Sequence, residues 1–274
     1  MRLWCRSSMA CLGLWLTWPA VAWADPSVEA SVDPPDSAQP SESTEPREPA
    51  WCASELEVWQ DEICSYIPEN LPQDRPTTLV IYLHGVIQPG TTWQYGPQRG
   101  MVRAANKHGF AVIMPRGRRG IGPGSMRDWW TWPTSARAQT QVEQAILQQW
   151  AQARAWLEQR LGKPFEKVYV VGFSNGAYYA ASLALRGVLS VNGYVIVAGG
   201  SAQAASQGGA QATHRPPIYI GYGHRDSVGQ DCRSLGQALA RLRWKHRIVG
   251  RPRVGHLMTD SQIEEAMEFF RTIP

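Results

Sequence analysis

Apolar residues along the chain fall into two kinds of block. Short runs of aliphatic, β-branched and aromatic residues occupy 77–83, 110–115, 168–171, 194–197 and 218–220, and a last strand, opening with His246 and Arg247, is predicted over 246–249. Runs of this length fit strands buried on both faces, as in a parallel sheet. Between them the spacing predicts helices over 101–107, 141–161, 177–186, 232–244 and 261–271. Gly109 and Gly187 follow two of these and read as stop signals. Along 141–161 the positions drifting to one side are Val142, Ala145, Ile146, Gln149, Ala153, Trp156, Leu157 and Leu161. Strands alternating with helices predict an α/β fold, a mostly parallel central sheet with helices on both faces. In such sheets ligands bind at the carboxyl ends of the strands. The pattern holds no internal repeat and no second folded domain.

The first fifty residues do not follow this pattern. Arg2 and Arg6 precede an apolar stretch over 9–18, and Ala22-Trp23-Ala24 offers a small-x-small site before Asp25. That layout predicts a signal peptide over 1–24, cleaved near Ala24. Its apolar part is too short to span a bilayer comfortably, so no stable membrane insertion is expected after cleavage. Residues 25–50 are rich in Pro, Ser, Glu and Asp and hold almost no large apolar side chain. They predict a disordered acidic tether, leaving 51–274 as the folded domain.

Charge sharpens this division. The whole chain carries a net +4, while 25–50 contributes −6, so the folded part is basic. No nucleic-acid-binding motif accompanies that charge, and no nucleic-acid partner is expected. Three cysteines remain beyond the leader: Cys52, Cys64 and Cys232. In an oxidising compartment two should pair, and three pairings are open. Cys52 with Cys64 would tie an N-terminal strand to the next one. Cys232 is then a buried small residue or a free thiol. No CxxC or Cys/His spacing for a metal is present, and neither metal nor cofactor is expected.

The chemistry gathers at Gly172-Phe173-Ser174-Asn175-Gly176, where a predicted strand passes into a predicted helix. G-x-S-x-G in that context is the nucleophile-elbow spacing, a serine on a strained strand-to-helix turn. The glycines have a steric reason, because side chains there would strike the neighbouring strand and helix. A serine hydroxyl needs a base to take its proton, and the base needs an acid to hold its tautomer. Asp226 follows the strand at 218–220, and His256 follows the strand at 246–249. Asp231 and Asp260 compete as acids, with Asp260 better suited to capping the last helix. The two backbone N–H groups of an oxyanion hole are expected from Asn175 and from the loop His84-Gly85-Val86, at Val86. His84 itself is expected to fix that loop by hydrogen bonds.

Together, His84-Gly85, the Gly172–Gly176 elbow, Gly221 to Asp226 and Gly255-His256 resemble the α/β-hydrolase superfamily. Within it, the small exported size and the Ser-Asn-Gly elbow resemble the esterases grouped with polyhydroxybutyrate depolymerases and feruloyl esterases. The superfamily resemblance spans about 77–274. The oxyanion loop departs from the HGGG type, and no large lid domain is inserted. The resemblance implies an α/β-hydrolase fold, a Ser174–Asp226–His256 triad and carboxylic ester hydrolysis through an acyl-enzyme. Serine peptidase or acyltransferase chemistry uses the same triad and stays open, as does a non-catalytic binding module.

Two features bear on the substrate. Trp129, Trp130 and Trp132, with Trp93 and Tyr95, read equally as an aromatic wall at the catalytic edge or as packing of a long loop. Arg116, Arg118, Arg119 and Arg127 make the same loop basic. That reads as a solvated loop, with an anionic substrate as the alternative. A small-molecule or polymeric ester is the expected partner, and a monomer the expected state.

Overall fold

The computed structural model describes residues 48–204 and 212–273. The expected leader at 1–24 and most of the expected tether lie outside the described residues. At the start, the carbonyl of Ala50 accepts the Tyr95 hydroxyl at 2.7 Å.

Eight strands form one sheet. In chain order they are β1 (Glu57–Trp59), β2 (Ile63–Tyr66), β3 (Thr78–Leu83), β4 (Ala111–Pro115), β5 (Lys167–Phe173), β6 (Gly193–Val197), β7 (Ile218–Gly223) and β8 (His246–Arg251). The helices are α1 (Tyr95–His108), α2 (Ala136–Leu161), α3 (Asn175–Arg186), a single turn α4 (Ala202–Ala204), α5 (Gly229–Arg241) and α6 (Asp260–Arg271). Strand order is β1-β2-β4-β3-β5-β6-β7-β8. From β4 to β8 every neighbouring pair is parallel, while β1 and β2 join antiparallel at one edge.

Alternation along the strands divides the core in two. Leu79, Ile81 and Leu83 of β3 pack with α2, α3 and α5, through Ile146, Leu183 and Leu235. Val80 and Tyr82 of the same strand face α1 and α6, through Met101 and Phe269. The expected fold is therefore present: an α/β-hydrolase architecture, helices on both faces and no large lid among the described residues.

Several helices start earlier than their apolar spacing predicts. Helix α1 begins at Tyr95, because Pro97 falls in its first turn, where a missing N–H costs nothing. Helix α2 begins at Ala136, with the Ser135 side chain accepting the Ala138 N–H as N-cap. Its buried side includes Trp150, which the predicted stripe omits, while Val142, Trp156 and Leu161 are only partly buried. The last helix is capped by Thr259, in a capping box with Gln262, and not by Asp260. Asp260 instead pairs with Arg103 at 2.9 Å on the surface.

Cys52 is bonded to Cys64, which ties the segment ahead of β1 to β2. Cys232 is a buried free thiol whose Sγ lies 3.2 Å from the Gly199 carbonyl. Burial pushes that thiol up to about 11, so it stays protonated at neutral pH.

Candidate active site

Ser174 stands between the end of β5 and the start of α3 with φ 53° and ψ −118°. A non-glycine residue in that region carries about 1–3 kcal/mol of strain and persists only where its surroundings hold it. The Ser174 N–H donates to the Val197 carbonyl of β6 at 3.0 Å, and the Gly176 N–H donates to the His84 carbonyl at 3.1 Å. A Cβ on Gly172 would stand 2.4 Å from the Gly176 carbonyl oxygen, and one on Gly176 would stand 2.2 Å from that of Leu83. Both glycines are thus required by close backbone approach, one against the helix and one against the neighbouring strand.

His256 comes to this turn from the loop after β8. Its Nε2 lies 2.8 Å from Ser174 Oγ, and its Nδ1 lies 3.0 Å from both carboxylate oxygens of Asp226. The Asp226 side chain is buried, and one of its oxygens also accepts the Val228 N–H at 3.1 Å. His256 remains partly exposed, with its ring packed against Phe173 at 5.2 Å. The two loops are held together by backbone contact. Arg225 N–H donates to the Val254 carbonyl, and Gly223 leaves no room there for a Cβ, which would fall 2.1 Å from the same oxygen. An imidazole facing a hydroxyl on one side and a buried carboxylate on the other has the geometry of an oriented general base. The competing acid Asp231 lies in the first turn of α5 and takes the Tyr178 hydroxyl.

Val86 and Asn175 border the cavity beside Ser174. Among the described residues, no protein acceptor takes the backbone N–H of either one. The loop that carries Val86 is fixed from behind by His84. Its Nδ1 donates to the Gly85 carbonyl, and its Nε2 accepts the Gly117 N–H at 2.9 Å. Burial pushes the imidazole down to about 4, so it is neutral and its tautomer is set by these two partners.

The tryptophans divide between core and surface. Trp132 is buried against His84, Trp150 and Tyr179, which removes it from any wall facing substrate. Its indole N–H donates to the His84 carbonyl, and its backbone N–H donates to Asn175 Oδ1 at 2.7 Å. Trp130 pairs by backbone with Ile87 and packs under the Arg116 guanidinium at 4.3 Å. Trp129 meets the exposed Trp93 edge to face at 5.7 Å. None of the four lines the cavity at Ser174. The basic loop is likewise anchored, since Arg116 and Arg118 both reach Glu62 at 3.3 Å.

The cavity over Ser174 encloses about 810 Å³. Its lining includes Gln139, Tyr178, Ser182 and Arg186, none of which was expected from sequence as a site residue. A signal for three of them exists: Tyr178, Ser182 and Arg186 follow Ser174 at helical intervals of four. Among the described residues no group of His, Cys, Asp and Glu side chains is placed to hold a metal ion.

Comparison with known proteins fits this architecture. Esterase PE8 superposes with a TM-score of 0.56 at 18% identity, covering 77% of this chain and 97% of its own. S-formylglutathione hydrolase (FrmB) from Staphylococcus aureus gives 0.54 at 18%, over 76% of this chain and 91% of that one. SOBER1 from Arabidopsis thaliana gives 0.51 at 14%, over 71% and 98%. At these identities the likeness establishes a shared fold. No curated protein matches by sequence. The family model of the dienelactone hydrolases matches residues 95–267, which include the elbow, Asp226 and His256. The chain is a hydrolase of the α/β-hydrolase superfamily and belongs to the dienelactone hydrolase family.

Proposed function

We propose that the protein hydrolyses carboxylic esters through an acyl-enzyme formed on Ser174. One observation carries this reading: His256 Nε2 lies 2.8 Å from Ser174 Oγ while its Nδ1 lies 3.0 Å from both oxygens of Asp226. Ser174 Oγ attacks the ester carbonyl as His256 takes its proton. Asp226 keeps Nδ1 protonated and stabilises the imidazolium that forms. The carbonyl oxygen, now negative, is received by the N–H groups of Asn175 and Val86. Collapse of this intermediate expels the alcohol, which takes the proton from His256. Water then enters, gives a proton to His256, and releases the acid and a free Ser174.

The test compares wild type with Ser174→Ala on p-nitrophenyl esters of rising acyl length. Turnover in wild type that is lost in the variant supports the reading. Equal turnover in both, or none in a folded wild type, contradicts it.

The same reading includes export, with 1–24 as a signal peptide, 25–50 as a tether and 51–274 as the catalytic domain. The Cys52–Cys64 bond supports an oxidising destination. Among the described residues no helix is long and apolar enough to cross a membrane. N-terminal sequencing of the protein from cell fractions tests this, with Asp25 expected as the first residue. A mature chain that retains Met1 contradicts it.

A further inference from the structure

We infer that the cavity at Ser174 is a groove along α3 for a neutral, oxygen-bearing chain attached to the ester. This rests on the ester-hydrolase reading above and adds the class of substrate.

Ser174 at the N-cap of α3, and Tyr178, Ser182 and Arg186 on the helix, recur at every fourth position as a stripe along one side, and all four line the cavity. At a rise of about 1.5 Å per residue the stripe runs roughly 18 Å from the serine. Ser135 and Gln139, at the start of α2, border the same space. The length exceeds what a small acyl group fills.

The far half of the groove is built for hydrogen bonding. Gln139 Nε2 donates to Ser182 Oγ at 3.1 Å, and Arg186 Nε donates to the same oxygen at 3.0 Å. With both lone pairs of Ser182 taken, its O–H is left to donate, and no protein acceptor among the described residues receives it. An alkyl chain lying there would strip water from these groups and return no partner. A chain carrying hydroxyl, ether or carbonyl oxygens satisfies them. Val86, Pro123 and Met126 supply an apolar side for its carbon atoms.

Charge excludes an anionic chain. Both terminal nitrogens of Arg186 bind the Glu143 carboxylate, at 2.9 and 2.6 Å. The charge of the guanidinium is thereby balanced, and an incoming carboxylate or phosphate would face Glu143 as well. Arg186 stays cationic within a pair of no net charge, and its remaining N–H groups are left to donate.

The experiment uses the full-length protein and three p-nitrophenyl esters: the acetate, an alkanoate long enough to reach Arg186, and its analogue with every third methylene replaced by an ether oxygen. The oxygen-bearing ester should exceed the alkanoate in kcat/KM by about tenfold, the effect of one or two hydrogen bonds. Gln139→Leu and Ser182→Ala should bring that ratio toward unity. Glu143→Gln should raise kcat/KM about tenfold for a long ester ending in carboxylate, relative to its neutral counterpart. Because each readout is a ratio within one preparation, partial loss of folding does not mimic it. Hydrolysis of the acetate with the alkanoate equal or preferred would overturn the groove reading alone. No hydrolysis of any ester, or hydrolysis that survives Ser174→Ala, would overturn the esterase reading and this one with it.

Discussion

The indole N–H of Trp132 donates to the backbone carbonyl of His84 at 2.9 Å, and the same carbonyl receives the N–H of Gly176 in the elbow. One buried ring thus ties the loop that carries Val86 to the turn that carries Ser174. The link is mechanical, through two hydrogen bonds on one oxygen, and it sets the spacing of the two N–H groups proposed to face the oxyanion.

Trp132→Phe keeps an aromatic ring in the core and removes the donor. Denaturant titration should show a loss of about 1–2 kcal/mol, the usual effect of losing one buried hydrogen bond. On p-nitrophenyl acetate, kcat should fall about tenfold with KM little changed. A variant with the stability loss and wild-type kcat would show that the link only holds the fold.

The elbow glycines tolerate no side chain. A Cβ at Gly176 would stand 2.2 Å from a backbone oxygen of β3, which has no flexible end to move aside. Gly176→Ala should cost roughly 3 kcal/mol or more, read from its thermal or denaturant midpoint. A variant within about 0.5 kcal/mol of wild type would contradict the close approach.

His84 makes stability depend on pH. Its imidazole is buried neutral, lowered from 6.5 to about 4. The folded state therefore binds fewer protons than the unfolded one below pH 6.5, and stability falls as pH drops from about 6.5 to about 4. A shift of this size corresponds to about 3 kcal/mol across that window. His84→Asn should flatten the acid limb in denaturant titrations made across this range. A limb that keeps its wild-type steepness in the variant would assign it to other groups.

The disulfide closes a short loop, joining Cys52 to Cys64 twelve positions further along the chain. Replacing both by Ser should cost about 3 kcal/mol, and reduction of the native protein should lower its melting midpoint similarly. Cys232, buried with its thiol raised to about 11, should not react with a thiol reagent near neutral pH until the protein unfolds. Rapid labelling of Cys232 in the native state would contradict its placement.

How these residues come together was only partly legible in the chain. Strands β3 to β7 show because each holds an unbroken apolar run, and the elbow shows because its motif and its strand-to-helix context are both local; β8, an edge strand that opens with His246 and Arg247, carries only a short apolar pair. Asp226 and His256 stand out because each follows a predicted strand. The antiparallel edge of β1 and β2 is too short to give a pattern. Trp129, Trp130 and Trp132 look alike in sequence, and only the fold decides that Trp132 turns inward while Trp129 stays half-buried against the exposed Trp93. Ser182 and Arg186 fall within the predicted helix over 177–186, and the sequence alone gives them no part in a site. They become a groove wall because Gln139 and Glu143, more than forty residues earlier, lie against them. Such long-range pairing leaves no periodic trace.

Activation of Ser174 is tested most directly by reaction with a fluorophosphonate probe, followed by mass mapping of the modified peptide. The probe reacts only with a serine whose proton is taken by a neighbouring base. One adduct is expected, on Ser174, absent in Ser174→Ala and slowed by at least about a hundredfold in His256→Ala. A folded wild-type protein that takes no label, or one labelled at another residue, would contradict it.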